Sequence, residues 1–126
     1  MYQTMIFIGR LGRDPEMRFS PKGEPVTSFS VAMDDGYGES KKTLWLRVSV
    51  WGKQAEACNQ YLKKGKMVLV EGRMIADAAT GGPRIFQKKD GTWAASFEVN
   101  ASTVKFLGGK DEAEAGPEFV SDEVPF

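Results

Sequence analysis

The stretch Thr43–Trp51 reads TLWLRVSVW and alternates strictly between two kinds of side chain. Its even positions carry the aliphatic residues Leu44, Leu46, Val48 and Val50. Its odd positions carry Trp45, Arg47, Ser49 and Trp51. Because successive side chains of a strand point to opposite faces, this alternation predicts a β-strand with one face in the core. The aliphatic face is the core face, so both tryptophans and the arginine belong to the outer face.

The segments on either side of this strand are also strand-like, with one change of period. The other predicted strands are Met5–Leu11, Val26–Met33, Met67–Ile75 and the hairpin arms Arg84–Lys88 and Thr92–Val99, the last running on to Leu107. A helix is predicted over Lys53–Lys64, with Lys63 and Lys64 in its last turn and Gly65 as its stop. One helix between the third and fourth strands favours an all-β fold, the five-stranded barrel called the OB-fold. Another small barrel or an α+β sheet fits the same pattern.

Charge divides the 126-residue chain into a basic body and an acidic tail. Residues 1–109 hold 16 Lys and Arg against 11 Asp and Glu, whereas residues 110–126 hold 1 against 6. Low hydrophobicity combined with high net charge predicts disorder. We therefore expect one folded domain over residues 1–108 and a disordered acidic tail over residues 109–126.

The composition argues against catalysis and metal chemistry. The chain has no histidine and a single cysteine, Cys58, on the apolar face of the predicted helix. The commonest general base and metal ligand is therefore missing, and a lone cysteine forms neither an intrachain disulfide nor a zinc site. The sequence predicts no enzyme activity, no catalytic residue, no metal and no cofactor.

No segment predicts export or a membrane span. The apolar run Met5–Ile8 is far shorter than the roughly 20 residues that cross a bilayer, and no positively charged region precedes it. We expect a soluble cytoplasmic protein that does not associate with membranes.

Two exposed tryptophans on one strand need an explanation, because large apolar rings on a surface invite association. In one interpretation Trp45 and Trp51 stack on unpaired nucleic-acid bases while a neighbouring cation holds the phosphates. In the other they pack under a loop or against a second subunit, and the alternation alone favours neither. Tyr37, in the loop before the strand, and Phe86, on the hairpin, fit base stacking. Trp93 fits it less well, because it could instead cap the core end of its hairpin.

Basic residues interleave with these aromatics, as a groove for single-stranded nucleic acid requires. Taken singly, such a residue is more often a solvated surface charge. The cations predicted to contact phosphates are Arg10, Arg13, Arg47, Lys53, Arg73, Arg84, Lys88 and Lys89, with Arg18 and Lys105 as further candidates.

The C-terminal end carries apolar residues that a merely solubilising tail does not need. A terminal Phe126 offers a ring for an apolar pocket and an α-carboxylate for a basic clamp, a recurring mode of peptide recognition. A proline before it reduces the conformational freedom lost on docking. The predicted partner-docking tip is Asp122, Glu123, Val124, Pro125 and Phe126.

Six motifs follow one another along the chain in a specific order. They are IGRLGRDPE at 8–16, FSVA at 29–32, WLRV at 45–48, WGKQAE at 51–56, YLKKG at 61–65 and VLVEGR at 68–73. With the acidic Pro-Phe end, this set resembles the bacterial-type single-stranded DNA-binding proteins over nearly the whole chain. The resemblance implies an OB-fold body, usually a homotetramer, that binds single-stranded DNA without sequence specificity. It further implies base stacking by Tyr37, Trp45 and Trp51 and docking of replication, recombination and repair proteins on the tail tip.

The chain departs from the pattern of that family at several points, one of which is that only two acidic residues, Asp122 and Glu123, directly precede Val124. A fourth aromatic, often found after the Gly-Arg strand, falls near Ala79, so its role is unfilled or passes to Phe86. Val124 stands where isoleucine is more usual. The linker from Gly109 to Ser121 is short, which shortens the reach of the tip.

We therefore predict a non-catalytic protein of the cytoplasm and nucleoid that coats and protects single-stranded DNA and recruits partner proteins. Two rival classes remain. One is an OB-fold adaptor that uses Trp45 and Trp51 as a subunit interface. The other is a small-molecule or nuclease enzyme on a β-barrel, against which the lack of histidine and of a convergent acid cluster argues.

Overall fold

The computed structural model describes residues 1–108, a strand-rich body with one α-helix. Its elements are β1 (Met5–Leu11), β2 (Glu16–Phe19), β3 (Pro25–Asp35), β4 (Lys42–Trp51), α1 (Lys53–Tyr61), β5 (Met67–Ile75), β6 (Arg84–Gln87) and β7 (Trp93–Gly108). A short 3-10 turn, Gly38–Ser40, connects β3 to β4. The predicted acidic tail and its docking tip fall on residues 109–126, outside the described residues.

Five of the strands close into a barrel in the order β1-β5-β7-β4-β3. The closing pairs are Arg10 with Ala32 and Leu11 with Val31, which join β1 to β3. The pairing of β4 with β7 is parallel, and the other barrel neighbours are antiparallel. β2 extends the sheet from β3, and β6 forms a hairpin with β7. The predicted OB-fold is confirmed, with α1 between the third and fourth barrel strands, and the closure excludes an open α+β sheet.

The alternation of β4 determines which of its side chains fill the barrel. Leu46, Val48 and Val50 are buried, because alternate residues of a strand share one face and this face of β4 points into the barrel. The same period on the other strands completes the core with Phe7, Leu11, Phe29, Val31, Val68, Val70 and Val99. Burial of these apolar side chains is the main stabilising contribution to the body.

The helix α1 packs on the barrel and ends earlier than predicted. Its buried residues include Cys58, and the buried Thr27 hydroxyl of β3 donates a hydrogen bond of 2.6 Å to the Ala55 carbonyl. After Tyr61 the buried Leu62 adopts an extended backbone, with φ −90° and ψ 148°. The prediction that Lys63 and Lys64 form the last turn was therefore wrong.

Contacts from distant parts of the chain end the helix. The Asp14 carboxylate accepts a hydrogen bond of 2.9 Å from the Lys64 N–H. The Gly65 N–H then donates to the Leu11 carbonyl at 2.9 Å, and the Leu11 N–H donates to the Lys66 carbonyl at 3.0 Å. These bonds hold the segment against the end of β1, so it cannot continue as a helix.

Candidate nucleic-acid interface

The outward side of β4 presents two tryptophans on one continuous strand. Trp45 is 52% exposed and Trp51 is 45% exposed. Arg47 is exposed between them on the same side. The predicted outward placement of these three residues is confirmed, and both rings are accessible to a flat partner.

The neighbouring strand β3 faces these large side chains with small ones. In the register of the two strands, Ala32 lies opposite Trp45 and Ser30 lies opposite Arg47. A small residue beside each large one leaves room on the β3 side, and the Trp45 ring reaches across β3 as far as Gly12 of the β1–β2 loop. The β3–β4 pair therefore forms a shallow groove rather than a filled surface.

On its other side β4 meets an acidic residue of β7. Glu98 lies opposite Arg47 in the parallel register. Its carboxylate accepts a hydrogen bond of 3.1 Å from the Ser96 hydroxyl and forms an ion pair of 3.6 Å with Arg84. Because one carboxylate faces two guanidinium groups, this part of the surface keeps a net positive charge.

The β6–β7 hairpin contributes a third ring to this surface. Phe86 is half-buried and lies opposite Ala94 in the hairpin register. The Arg84 guanidinium carbon lies 5.2 Å from the centroid of the Phe86 ring, a cation–π arrangement. An aromatic ring and a cation thus occupy adjacent positions on the hairpin.

Two open clefts meet at these side chains. The first, of about 370 Å³, lies between β4 and the hairpin and is lined by Trp45, Arg47, Arg84 and Phe86. The second, of about 580 Å³, shares Trp45, Arg47 and Phe86 as walls and adds Arg13, Asp14 and Glu16. We call the surface formed by Trp45, Arg47, Trp51, Arg84 and Phe86 the aromatic face. Rings beside cations along an open groove are what single-stranded nucleic acid binding requires.

Comparison with known proteins then assigns the chain to a family. The model of the "Single-strand binding protein family" matches residues 2–107. The chain belongs to that family. This confirms the resemblance that the sequence motifs indicate.

Individual relatives agree with the family match. A single-stranded DNA-binding protein of Neisseria meningitidis is 39% identical over 117 residues, which cover 89% of this chain and 63% of that protein. A single-stranded DNA-binding protein of Clostridium tetani is 36% identical over 129 residues, covering 97% of this chain and 84% of that protein. One from Thermotoga maritima is 36% identical over 114 residues, covering 86% and 76% respectively. The chain thus spans less than two thirds of the length of the Neisseria relative.

The single-strand binding protein fold separates the predicted stacking residues into two groups. Trp45 and Phe86 line the clefts of the aromatic face, and Trp51 lies beyond the clefts on the same outward side of β4. Tyr37 lies at the tip of the β3–β4 hairpin and is 91% exposed, and it lines neither of the two clefts. Trp93 is 69% exposed, which argues against the alternative that it caps the core end of its hairpin.

The predicted phosphate contacts are also distributed unevenly. Arg13, Arg47 and Arg84 line the clefts. Arg10 on β1 is in register with Trp45 on β4, because Ala32 of β3 lies opposite both. Its guanidinium, however, donates a hydrogen bond of 3.1 Å to the Gly65 carbonyl.

The remaining predicted cations lie around the margins of the aromatic face. Lys53 begins α1, two residues after Trp51. Arg73 lies on β5 opposite Asn100. Lys88 and Lys89 occupy the turn of the β6–β7 hairpin, in which the Lys88 N–H donates to the Thr92 carbonyl at 2.7 Å.

Sequence reasoning missed two features of the interface. Glu98 is not a predicted site residue. Alternation around the buried Val99 places it on the outward side of β7, and the register of β7 with β4 places it beside Arg47. Arg18 is aligned with Trp51 because both lie opposite Val26, Arg18 on β2 and Trp51 on β4. The short strand β2 was not predicted, so the sequence did not indicate that Arg18 is aligned with Trp51.

Within residues 1–108 no group of three His, Cys, Asp or Glu side chains is arranged to hold a metal ion. Burial raises the pKa of the Cys58 thiol to about 12, so the thiol stays protonated at neutral pH. In the same part of the chain, no helix has the length and apolarity that crossing a membrane requires.

Proposed function

We propose that this chain binds single-stranded DNA without sequence specificity. The observation that carries the proposal is the placement of Trp45 and Trp51 on the exposed side of one strand, with Arg47 between them. The family match and the named relatives support the same ligand. Two exposed rings on a groove with cations would otherwise be a solubility liability.

The mechanism is equilibrium binding. Each base stacked on an aromatic ring contributes about 1–3 kcal/mol, judged by alanine substitution, and every base offers a π-face. Guanidinium and ammonium groups neutralise phosphates and release condensed counterions, so the affinity falls as salt rises. Duplex DNA binds poorly, because its bases are already paired and stacked.

The proposal extends from DNA binding to a role in the cell. The protein coats and protects single strands during replication, recombination and repair, as a homotetramer of the cytoplasm and nucleoid, and catalyses no reaction. Its tip, Asp122 to Phe126, recruits partner proteins, because a terminal ring and carboxylate behind acidic residues suit an apolar pocket beside a basic clamp. Tyr37 and the marginal cations Arg10, Lys53, Arg73, Lys88 and Lys89 add contacts to longer strands.

The test is a titration with dye-labelled oligo(dT) at several salt concentrations, beside a duplex of the same length. We expect quenching of tryptophan fluorescence by the single strand alone. The logarithm of the association constant should fall by about 0.7 per phosphate contact per logarithmic unit of salt. Absence of binding at low salt would refute the proposal.

The adaptor alternative predicts a different outcome for Trp45→Ala. If Trp45 and Trp51 form a subunit interface, this variant dissociates the oligomer and leaves any DNA affinity of the protomer intact. Base stacking predicts the reverse, with unchanged sedimentation and weaker binding. Sedimentation velocity and fluorescence anisotropy on the same preparation separate the two.

A further inference from the structure

A second apolar surface lies on the reverse side of the β6–β7 hairpin. Ile85, Trp93 and Phe97 are 58%, 69% and 45% exposed. In the hairpin register Phe86 pairs with Ala94, whereas Trp93 pairs with Gln87 one position further along. Because adjacent positions of a strand point to opposite faces, Trp93 points away from the side that carries Phe86. We call this surface the reverse face, defined by Ile85, Trp93 and Phe97, of which Phe97 also lines the first cleft.

The turn beside the reverse face is basic. Lys88 and Lys89 are both exposed in it, directly after the strand position that pairs with Trp93. The acidic residue of the turn, Asp90, is engaged within it. Its carboxylate accepts hydrogen bonds from the Thr92 N–H at 2.9 Å and the Thr92 hydroxyl at 2.6 Å. Two lysine ammonium groups thus extend from a turn that Asp90 and Thr92 stabilise.

We propose that Trp93 is a further base-stacking site, used by a strand that leaves the aromatic face at Phe86 and crosses the hairpin past Lys88 and Lys89. The inference rests on the proposed function and extends its binding path. It is carried by the charge of the turn and by the continuity of the hairpin, whose opposite side already presents Phe86 and Arg84 to the first cleft.

A polyanion with flat bases suits this surface better than an apolar protein partner does. A protein that covered the reverse face would also approach the two lysines, and desolvating unpaired charges is costly. A nucleic acid strand places a phosphate near each ammonium group and a base on the indole ring. Rings beside cations are the combination that sequence-tolerant single-strand sites use.

Fluorescence tests this path directly, because the chain has three tryptophans. In the variant Trp45→Phe/Trp51→Phe, Trp93 is the only one left, and the Phe rings still allow stacking. We expect dye-labelled oligo(dT) of about 30 nucleotides, longer than one OB-fold covers, to quench Trp93 as it binds. An oligonucleotide of about 8 nucleotides should bind with little change in Trp93 emission, because it is held on the aromatic face.

The dye reports binding independently of Trp93, so the two proposals fail in different ways. If the dye anisotropy rises while Trp93 emission stays constant at both lengths, the reverse face is off the path and the proposed function stands. If wild-type protein binds neither oligonucleotide, the proposed function itself fails. The difference in quenching between wild type and Trp93→Phe also measures the contribution of Trp93, in a protein that retains Trp45 and Trp51.

Affinity provides a second readout. Trp93→Ala should weaken binding of the long oligonucleotide roughly tenfold, within the range for loss of one base–aromatic stack, and Trp93→Phe should restore most of it. Tyr61→Ala, which removes an exposed ring on α1, is the matched control and should leave the affinity unchanged. If Trp93→Ala instead lowers the sedimentation coefficient and leaves the affinity intact, the reverse face binds a second copy of the chain and the proposal is overturned.

Discussion

The benzo ring of Trp45 fills the space into which a side chain at Gly12 would project. A methyl group built on Gly12 would lie 2.5 Å from Cζ3 and 2.8 Å from Cη2 of that ring. The Gly12 N–H donates to the Ser30 carbonyl at 3.0 Å, which holds the backbone of the β1–β2 loop against β3. The orientation of a surface tryptophan thus depends on a glycine 33 positions earlier in the sequence.

We expect Gly12→Ala to displace the Trp45 ring and weaken single-strand binding by several-fold with little loss of stability. The ring must move because 2.5 Å is far shorter than the van der Waals contact distance between a methyl carbon and a ring carbon of another residue. Trp emission and oligo(dT) affinity measure the effect. Gly82→Ala is the matched control, since a methyl group there meets only the Thr80 hydroxyl oxygen, at 3.7 Å. Unchanged emission and affinity in Gly12→Ala would show that the ring position does not matter for binding.

Arg47→Gln should reduce both the affinity and its salt dependence. Arg47 is exposed between the two tryptophans, so we expect it to neutralise one phosphate of a stacked strand. Loss of one such contact lowers the slope of log affinity against log salt by about 0.7. Titrations at several salt concentrations measure the slope. Lys22→Gln, in the β2–β3 turn, should leave it unchanged, and an equal loss in both variants would indicate a general charge effect instead.

Glu98→Gln should strengthen binding. The Glu98 carboxylate lies 3.6 Å from Arg84 and opposite Arg47 in the register, so it repels phosphate and competes for both cations. Removing this charge raises the local positive potential, and the gain should be largest at low salt, where charges on a surface are screened least. Binding isotherms at low and high salt measure it, with Glu56→Gln on α1 as control. A weaker affinity would mean that the ion pair is needed to position Arg84.

Gln54→Ala should destabilise the body by about 1–2 kcal/mol while leaving the aromatic face intact. The Gln54 side-chain amide donates to the Ser102 carbonyl at 2.8 Å, and its oxygen accepts from the Val104 N–H at 2.9 Å. Urea unfolding measures the change, and Gln60→Ala on the same helix is the control. Equal stabilities of the two variants would show that water replaces both hydrogen bonds at no cost.

The Cys58 thiol should make the stability of the folded body fall at alkaline pH. Burial raises its pKa from 9.0 to about 12. Between these values the unfolded chain loses the proton while the folded chain keeps it, so rising pH favours unfolding, whereas below pH 9 the contribution is constant. The free energy of unfolding should therefore decline more steeply above pH 9 in wild type than in Cys58→Ala. Parallel pH profiles would show that the thiol does not titrate differently in the two states.

Some of the interface could be predicted because it depends on local geometry. The pleat of a strand sends alternate side chains to opposite faces wherever the strand lies, so TLWLRVSVW was enough to place Leu46 inside and Trp45 outside. The same rule predicted the other barrel strands. The helix start at Lys53 was also predicted correctly, but not its end, which Asp14 helps to determine from 50 residues away.

The sequence by itself determined the strand pattern, the aromatic and basic composition of the interface, and the separation of a basic body from an acidic tail. Only the tertiary structure decided that Glu98 lies beside Arg47, that Gly12 positions Trp45, and that Trp93 faces away from Phe86. These relationships depend on the register between strands and on the loops that join them. The Arg47–Glu98 and Gly12–Trp45 relationships join segments far apart in the chain, and the register of the β6–β7 hairpin is set by the geometry of its turn, so alternation along a single strand fixes none of them.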